Sequence, residues 1–287
     1  MTDFSNKKIF TGLKAQHFQH PWDDKAVTAL RAIPGFEFVV KKLMEIGFEQ
    51  FFRMTNLASN VHVTGNMLPN LQAILKAACK ILDVPEPDLY IATNPHPNAY
   101  TYGDTRPFIV VTTGLLDIMD DEELLFILGH ELGHIKCGHV LYKTMARNLS
   151  LVLEILADAT LGIARIIGTS FKLALADWER KSELSSDRAG LICVQNQHIA
   201  NRAFMKMAAA TNKYFSQMDE KEFLNQIKSY ENAIDESYIN MAYITIITAQ
   251  MSHPFTILRA KELDNWITKN GFTDVTGISI EEVSDKN

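Results

Sequence analysis

Among the 287 residues, the run from Asp120 to His139, DDEELLFILGHELGHIKCGH, carries the residue types best suited to chemistry. His130 and His134 stand four apart, so on a helix they lie one turn apart on one face. Two imidazoles so placed can share a zinc ion at about 2.0–2.1 Å. Glu131, beside His130, can then reach a water on the ion rather than the ion itself, the arrangement of a hydrolytic metal centre. Leu124, Leu125, Ile127, Leu128 and Leu132 make the same helix largely buried. Two histidines and a glutamate desolvated there without partners would be costly, and a metal would satisfy all three.

Two ligands are too few for a catalytic zinc. A metzincin-type extension would need Gly at 137 and His at 140, where the chain has Cys137 and Val140. His139 is five residues past His134, which on a continuous helix turns it away from the metal face, as a helix-end group or a support for a ligand. A carboxylate on a later helix is the better third ligand. Glu183 and Asp187 are again four apart, so one can bind the metal while the other orients a ligand histidine. Two non-enzymatic readings use the same residues. A catalytically silent peptide-binding module would have no need of Glu131. A structural zinc site closed by Cys137 would need that thiol to reach off the helix axis.

The elements that must position these groups follow from periodicity and breakers. Asp120 with Glu123 forms a capping box that starts the HExxH helix. Upstream, residues 1–21 read as an irregular arm. Residues 22–33 and 36–55 read as helices split by Pro34-Gly35. Leu71, Ile74, Leu75, Ala78 and Leu82 have helical spacing and stop before Pro85 and Pro87. Residues 89–92, 99–102 and 108–113 are short strand candidates. Everything after residue 114 reads as helical until a tail, expected loose, after Gly271. The expected fold is α+β, mainly α, with a small sheet beside the HExxH helix. Its divisions are a helical N-terminal extension (1–64), the main domain (65–270) and a C-terminal tail (271–287).

Composition sets the surroundings. The net charge is −6, with no basic excess to neutralise phosphates, so nucleic acid is not an expected partner. Cys79, Cys137 and Cys193 are odd in number and widely spaced, which fits free thiols in a reducing compartment. No stretch of about 18 uncharged apolar residues suggests a membrane span. A soluble, cytoplasmic protein is expected.

Five segments in order resemble one family: the zinc metalloendopeptidases that include the HtpX heat-shock protease, the mitochondrial Oma-type protease and the CAAX prenyl protease. This is metallopeptidase family forty-eight, of the gluzincin group. The segments are Asn98-Ala99-Tyr100-Thr101-Tyr102-Gly103, similar to the family's edge strand; Ile109 to Leu116; His130-Glu131-Leu132-Gly133-His134; Arg180, Glu183 and Asp187 in the spacing R-x-x-E-x-x-x-D; and His253-Pro254 with Arg259. The resemblance spans roughly residues 65–270. It implies one zinc per chain on His130, His134 and Glu183, and a water activated by Glu131. It also implies His253 as a hydrogen-bond donor to the reacting carbonyl, with Asp187 and Arg259 as supports. Protein or peptide substrates would add to the strand Asn98, Ala99, Tyr100, Thr101 and Tyr102 in extended form. Ser186 stands where the family usually has Ala.

Residues 143–179 occupy the place where membrane-spanning members carry their helices. Here Glu154, Asp158, Arg165, Lys172 and Asp177 interrupt them, which points to a soluble member. If helical, Arg147, Glu154, Asp158, Arg165, Lys172 and Glu179 form one narrow stripe on a largely apolar segment. Such a segment packs into the core over the zinc helix, or meets a membrane surface, a second subunit or a hydrophobic substrate.

Overall fold

The structure is a computed structural model. It describes residues 2–33, 36–45, 47–103, 105–148, 150, 152, 154, 164–209, 211–235 and 255–279. In chain order the elements are α1 (Ala15–Phe18), α2 (Pro21–Arg31), α3 (Phe36–Glu45), α4 (Phe48–Ser59), β1 (Val61–Val63), α5 (Pro69–Leu82), β2 (Asp88–Ala92), β3 (Ala99–Tyr102) and β4 (Phe108–Thr112). There follow α6 (Thr113–Ile118), α7 (Asp121–Lys136), α8 (Val140–Arg147), α9 (Ala164–Val194), α10 (Gln197–Ala209), α11 (Glu220–Asp235), α12 (Thr256–Thr268) and α13 (Gly271–Thr276). The fold is mainly helical with one small sheet, as expected.

The sheet has the order β1-β2-β4-β3. β1 and β3 run antiparallel to their neighbours and β2 runs parallel to β4. β4 is buried along its whole length, which explains its unbroken apolar run, Phe108-Ile109-Val110-Val111. One face of the sheet carries Leu89, Ile109 and Val111 into the main core, shared with α5 and α7. The other face carries Tyr90, Tyr102, Phe108 and Val110 against Phe52 of α4. β3 lies at the sheet edge.

Helices α7 and α9 form the centre of the molecule, and glycines let them approach closely. A Cβ on Gly133 would lie 2.7 Å from Ala189 Cβ and 3.0 Å from Ser186 Cα. One on Gly129 would lie 2.6 Å from Cys193 Sγ. These separations are below van der Waals contact, so neither position accepts a side chain without moving α9. The predicted capping box is present: Asp120 accepts from the Glu123 N–H at 2.9 Å, and Glu123 accepts from the Asp120 N–H at 2.8 Å. Buried Glu123 also pairs with Lys206 on α10 at 2.7 Å.

The N-terminal segment is packed onto this centre. Phe10, Leu13 and Phe18 belong to the main core. Ala26, Leu30 and Phe36 form a second cluster with Tyr142, Met145, Phe171, Leu175 and Trp178. Of the 143–179 segment, residues 149, 151, 153 and 155–163 lie outside the described residues. In the described part, Phe171, Leu175 and Trp178 are buried in that second cluster, while Leu173 is exposed. The expectation of a loose chain after Gly271 does not hold for residues 271–276. Gly271–Thr276 is helical and Phe272 is fully buried edge-on to Trp266, with ring centroids 5.8 Å apart. An apolar anchor outweighs the polar composition around it.

Candidate active site

α7 presents His130 and His134 on its inner face, and α9 presents Glu183 opposite. All three are buried. Their donor atoms converge: His130 Nε2 to His134 Nε2 is 3.2 Å, His130 Nε2 to Glu183 Oε2 is 3.4 Å, and His134 Nε2 to Glu183 Oε1 is 3.3 Å. A tetrahedral ion bonded at about 2.0–2.1 Å has edges of roughly 3.3–3.4 Å between its ligands. The three separations are those edges, so the donor set fits a tetrahedral metal. Among the described residues, this is the cluster of His, Cys, Asp and Glu side chains that could hold a metal. Cys137 caps α7 and is not one of the converging donors.

Further groups surround these three. Asp187, one turn beyond Glu183, approaches His130 Nδ1 at 2.9 Å. Arg259 on α12 forks onto Asp187, with Nε at 2.9 Å from Oδ2 and a terminal nitrogen at 2.5 Å from Oδ1. Burial alone would raise the Asp187 pKa, but Arg259 holds it below the usual carboxylate range. Burial alone would lower His130, but Asp187 and Glu183 outweigh it and hold the metal-free imidazole up at about 9. His134 goes the other way, pushed down by burial and by the charge of Lys143. Lys143 on α8 is itself buried and donates to Glu183 Oε1.

Glu131 projects towards β3 instead, where the Thr101 hydroxyl donates to its Oε2 at 2.6 Å. Ala99 and Thr101 share the face of β3 turned to α7, while Tyr100 and Tyr102 pack on the other face. The Thr112 N–H donates to Asn98 O. By the parity of an antiparallel ladder, the N–H and C=O groups of Ala99 and Thr101 therefore point away from β4. Arg147 takes the Thr101 carbonyl at 2.6 Å and stacks on Tyr100 and Tyr102. A cavity of about 180 Å³ opens beside Glu131, with Asn98 and Ala99 on one rim and Leu115, Phe126, Phe204 and Met207 as apolar wall.

Most of the residues read from the sequence thus come together, but Tyr100 and Tyr102 lie on the far face of β3. His253 and Pro254 lie outside the described residues. His139, read as a helix-end group or a support for a ligand, sits just before α8 as its N-cap, and its ring contacts His134, Nδ1 to Nδ1, at 3.0 Å, a contact that a continuous helix would not give. The reason is local. Gly138 has φ +70°, a left-handed turn that ends α7 and lets the His139 N–H bond back to His134 O at 2.9 Å. Sequence reasoning missed Asp23, Lys143 and Arg147. Each is an ordinary charged residue of a surface-type pattern, brought to the site by tertiary packing.

Paired histidines one helical turn apart, a facing glutamate from a second helix and a second glutamate outside the donor set at a cleft define a metallopeptidase of the HExxH class. The model of Peptidase family M48 matches residues 68–267, and the chain belongs to that family. It is similar to the plastoglobule-localized metallopeptidase 48, chloroplastic, of Arabidopsis thaliana, 36% identical over 263 residues that cover 90% of this chain and 74% of that protein. It is also similar to a protease HtpX homolog of Methanothermobacter thermautotrophicus, 33% identical over 103 residues, or 35% of this chain and 40% of that protein. The homolog of Aquifex aeolicus is 35% identical over 92 residues, 31% of this chain and 30% of that protein. The chain thus spans less than half the length of these HtpX homologs. No solved structure matches it. The protein is a metallopeptidase: a hydrolase of protein substrates that uses a metal cofactor. Among the described residues, no helix is long and apolar enough to cross a membrane.

Proposed function

We propose that the protein is a zinc-dependent endopeptidase that cleaves internal bonds of extended or unfolded protein segments. The observation that carries this reading is the position of Glu131. It is next to the three converging donors yet not one of them, and it faces the cavity at the edge strand. His130, His134 and Glu183 would hold one zinc. Bound there, zinc would lower the pKa of a water molecule and polarise the scissile carbonyl. Glu131 takes the proton of the attacking water and passes it to the leaving amine. Thr101 fixes which carboxylate oxygen is engaged, leaving Oε1 for the water. Asp187, braced by Arg259, accepts from His130 Nδ1 and so keeps the lone pair on Nε2.

The substrate backbone would lie along β3, pairing with the outward groups of Ala99 next to Asn98, with Tyr100 and Tyr102 supporting the strand from behind. Backbone pairing tolerates many side chains, hence the broad substrate class. The family resemblance adds His253 as a donor to the reacting carbonyl oxygen, a contact whose loss costs about 10²–10³ in rate. The division into extension (1–64), peptidase domain (65–270) and tail (271–287), and a cytoplasmic location, belong to the same proposal. So does peripheral membrane contact or self-association through 143–179, which sedimentation with and without vesicles tests.

The deciding experiment is Glu131→Gln with metal analysis and casein cleavage, with and without chelator. Retained zinc and lost cleavage are expected. Native cleavage by this variant refutes the role of Glu131, and a wild-type protein that holds zinc but cleaves nothing favours the silent peptide-binding reading.

A further inference from the structure

We propose that Asp23 of the N-terminal segment is a positioning residue of the metal centre, acting through His139 to hold His134 with its Nε2 lone pair aimed at the ion. This rests on the reading of His134 as a ligand. Ligation through Nε2 leaves the His134 proton on Nδ1. The acceptor in contact with that atom is His139 Nδ1, at 3.0 Å. His139 therefore carries its own proton on Nε2, and this nitrogen lies 2.9 Å from Asp23 Oδ2. A carboxylate only accepts, so each donor–acceptor assignment in the chain Asp23–His139–His134 is fixed by the one before it.

The burial of the chain makes these assignments firm. Asp23, His139 and His134 are 0%, 2% and 2% exposed, so bulk solvent does not compete for these contacts. Asp23 Oδ2 also accepts from Ser185 Oγ at 2.6 Å and Gln19 Nε2 at 3.2 Å. Burial would raise its pKa, but His139, Ser185 and Gln19 together hold it below the ordinary value. The edge of Trp178 closes the His139 ring on another side, with centroids 5.5 Å apart.

The two ligand histidines are thus supported differently. His130 receives a carboxylate directly, from Asp187 on the same helix that supplies Glu183. His134 receives one at second hand, from the first turn of α2. The chain leading into α2 is clasped to α9 for this purpose. Ser185 Oγ accepts from the His20 N–H at 2.9 Å, and Arg188 donates to the carbonyls of Phe18 and Gln19 at 3.1 and 3.3 Å. Residues near position 20 therefore complete a centre whose ligands all lie beyond position 129.

The test measures zinc affinity by competition with a chromophoric chelator. Asp23→Ala and His139→Leu should each weaken binding about 10- to 100-fold, the usual effect of removing such a support. The double variant should lose little more than either single one, because the two residues act as a unit. His139→Gln should recover much of the loss, since its amide can accept from His134 and donate to Asp23 at once, a rescue that a purely space-filling role would not give. A folded Asp23→Ala protein with affinity within about threefold of wild type overturns the proposal, as does a His139→Gln no better than His139→Leu. If Asp23→Ala does not fold, the nitrogen spectrum of the histidines in zinc-loaded wild type decides. His139 as the Nε2–H tautomer supports the proposal, and Nδ1–H overturns it. His134→Ala is the separate control: undiminished zinc binding by that variant would refute the ligand reading itself.

Discussion

Glu183→Gln changes almost nothing in side-chain volume and removes one negative charge from a fully buried position. In the chelated protein that charge faces Lys143, which is also buried and donates to it, and Arg259 at 3.6 Å. Arg259 keeps Asp187 as a partner. For Lys143 the structure records Glu183 as the carboxylate it meets. Removing one partner of a buried ion pair leaves the other uncompensated, at a cost of about 3–5 kcal/mol. For a chain of this size each kcal/mol shifts the midpoint by roughly 2–4 °C, so Tm should fall by about 6–20 °C. Adding Lys143→Met removes the stranded ammonium and should restore most of the loss. Thermal and urea unfolding of the chelator-treated proteins measure both effects, and metal analysis should show zinc occupancy falling in both variants. Two outcomes would refute the reasoning. One is a chelated Glu183→Gln protein that melts with wild type, and the other is a double variant weaker than the single one.

Other expectations follow from the same geometry. Gly133→Ala should cost about 1–3 kcal/mol and weaken zinc binding, because its Cβ would lie 2.7 Å from Ala189 Cβ; unchanged urea midpoint and zinc affinity would contradict the close approach. Thr101→Val should depress kcat with zinc content intact, since it frees Glu131 Oε2, whereas an unchanged kcat would remove Thr101 from the site. In the chelated protein His130 has a folded pKa of about 9, above the unfolded value of about 6.5. Its stabilising contribution, on the order of 3 kcal/mol, is present below pH about 6.5 and lost as pH rises to about 9. Zinc displaces that proton, so the Tm gap between zinc-loaded and chelated protein should widen over this range. A constant gap would count against it.

What was legible in the sequence is what depends on local pattern. The capping box, the four-residue spacing of His130 and His134 and the same spacing of Glu183 and Asp187 are all carried within one helix. β2, β3 and β4 were visible as apolar runs between turn residues. β1 was not, because Val61-His62-Val63 is too short to show an alternation. The direct contact of His139 with His134 is not visible in helical periodicity either, because it depends on one left-handed glycine, Gly138, that ends α7. Asp23 lies 116 residues from His139 and Lys143 lies 40 from Glu183. No local signal marks a charge that will be buried by contacts so remote. Phe272 follows a glycine in a polar stretch, and only the pocket beside Trp266 explains its burial.

The donor groups come from two helices far apart in the chain: Asp187 lies 57 residues beyond the His130 it supports. A metal ion spanning α7 and α9 is therefore a topological staple that closes a long loop. Once a loop is long, closing a longer one is cheap, about 0.6 kcal/mol for each doubling of length. The glycine-lined seam between the two helices holds the frame rigid on either side of the staple. Apart from α8 and its N-cap, where His139 and Lys143 belong to the centre, the chain between them can lengthen or shorten with little thermodynamic penalty to the centre. One catalytic frame of this kind can be refitted to different surroundings by exchanging the chain between α8 and α9 alone.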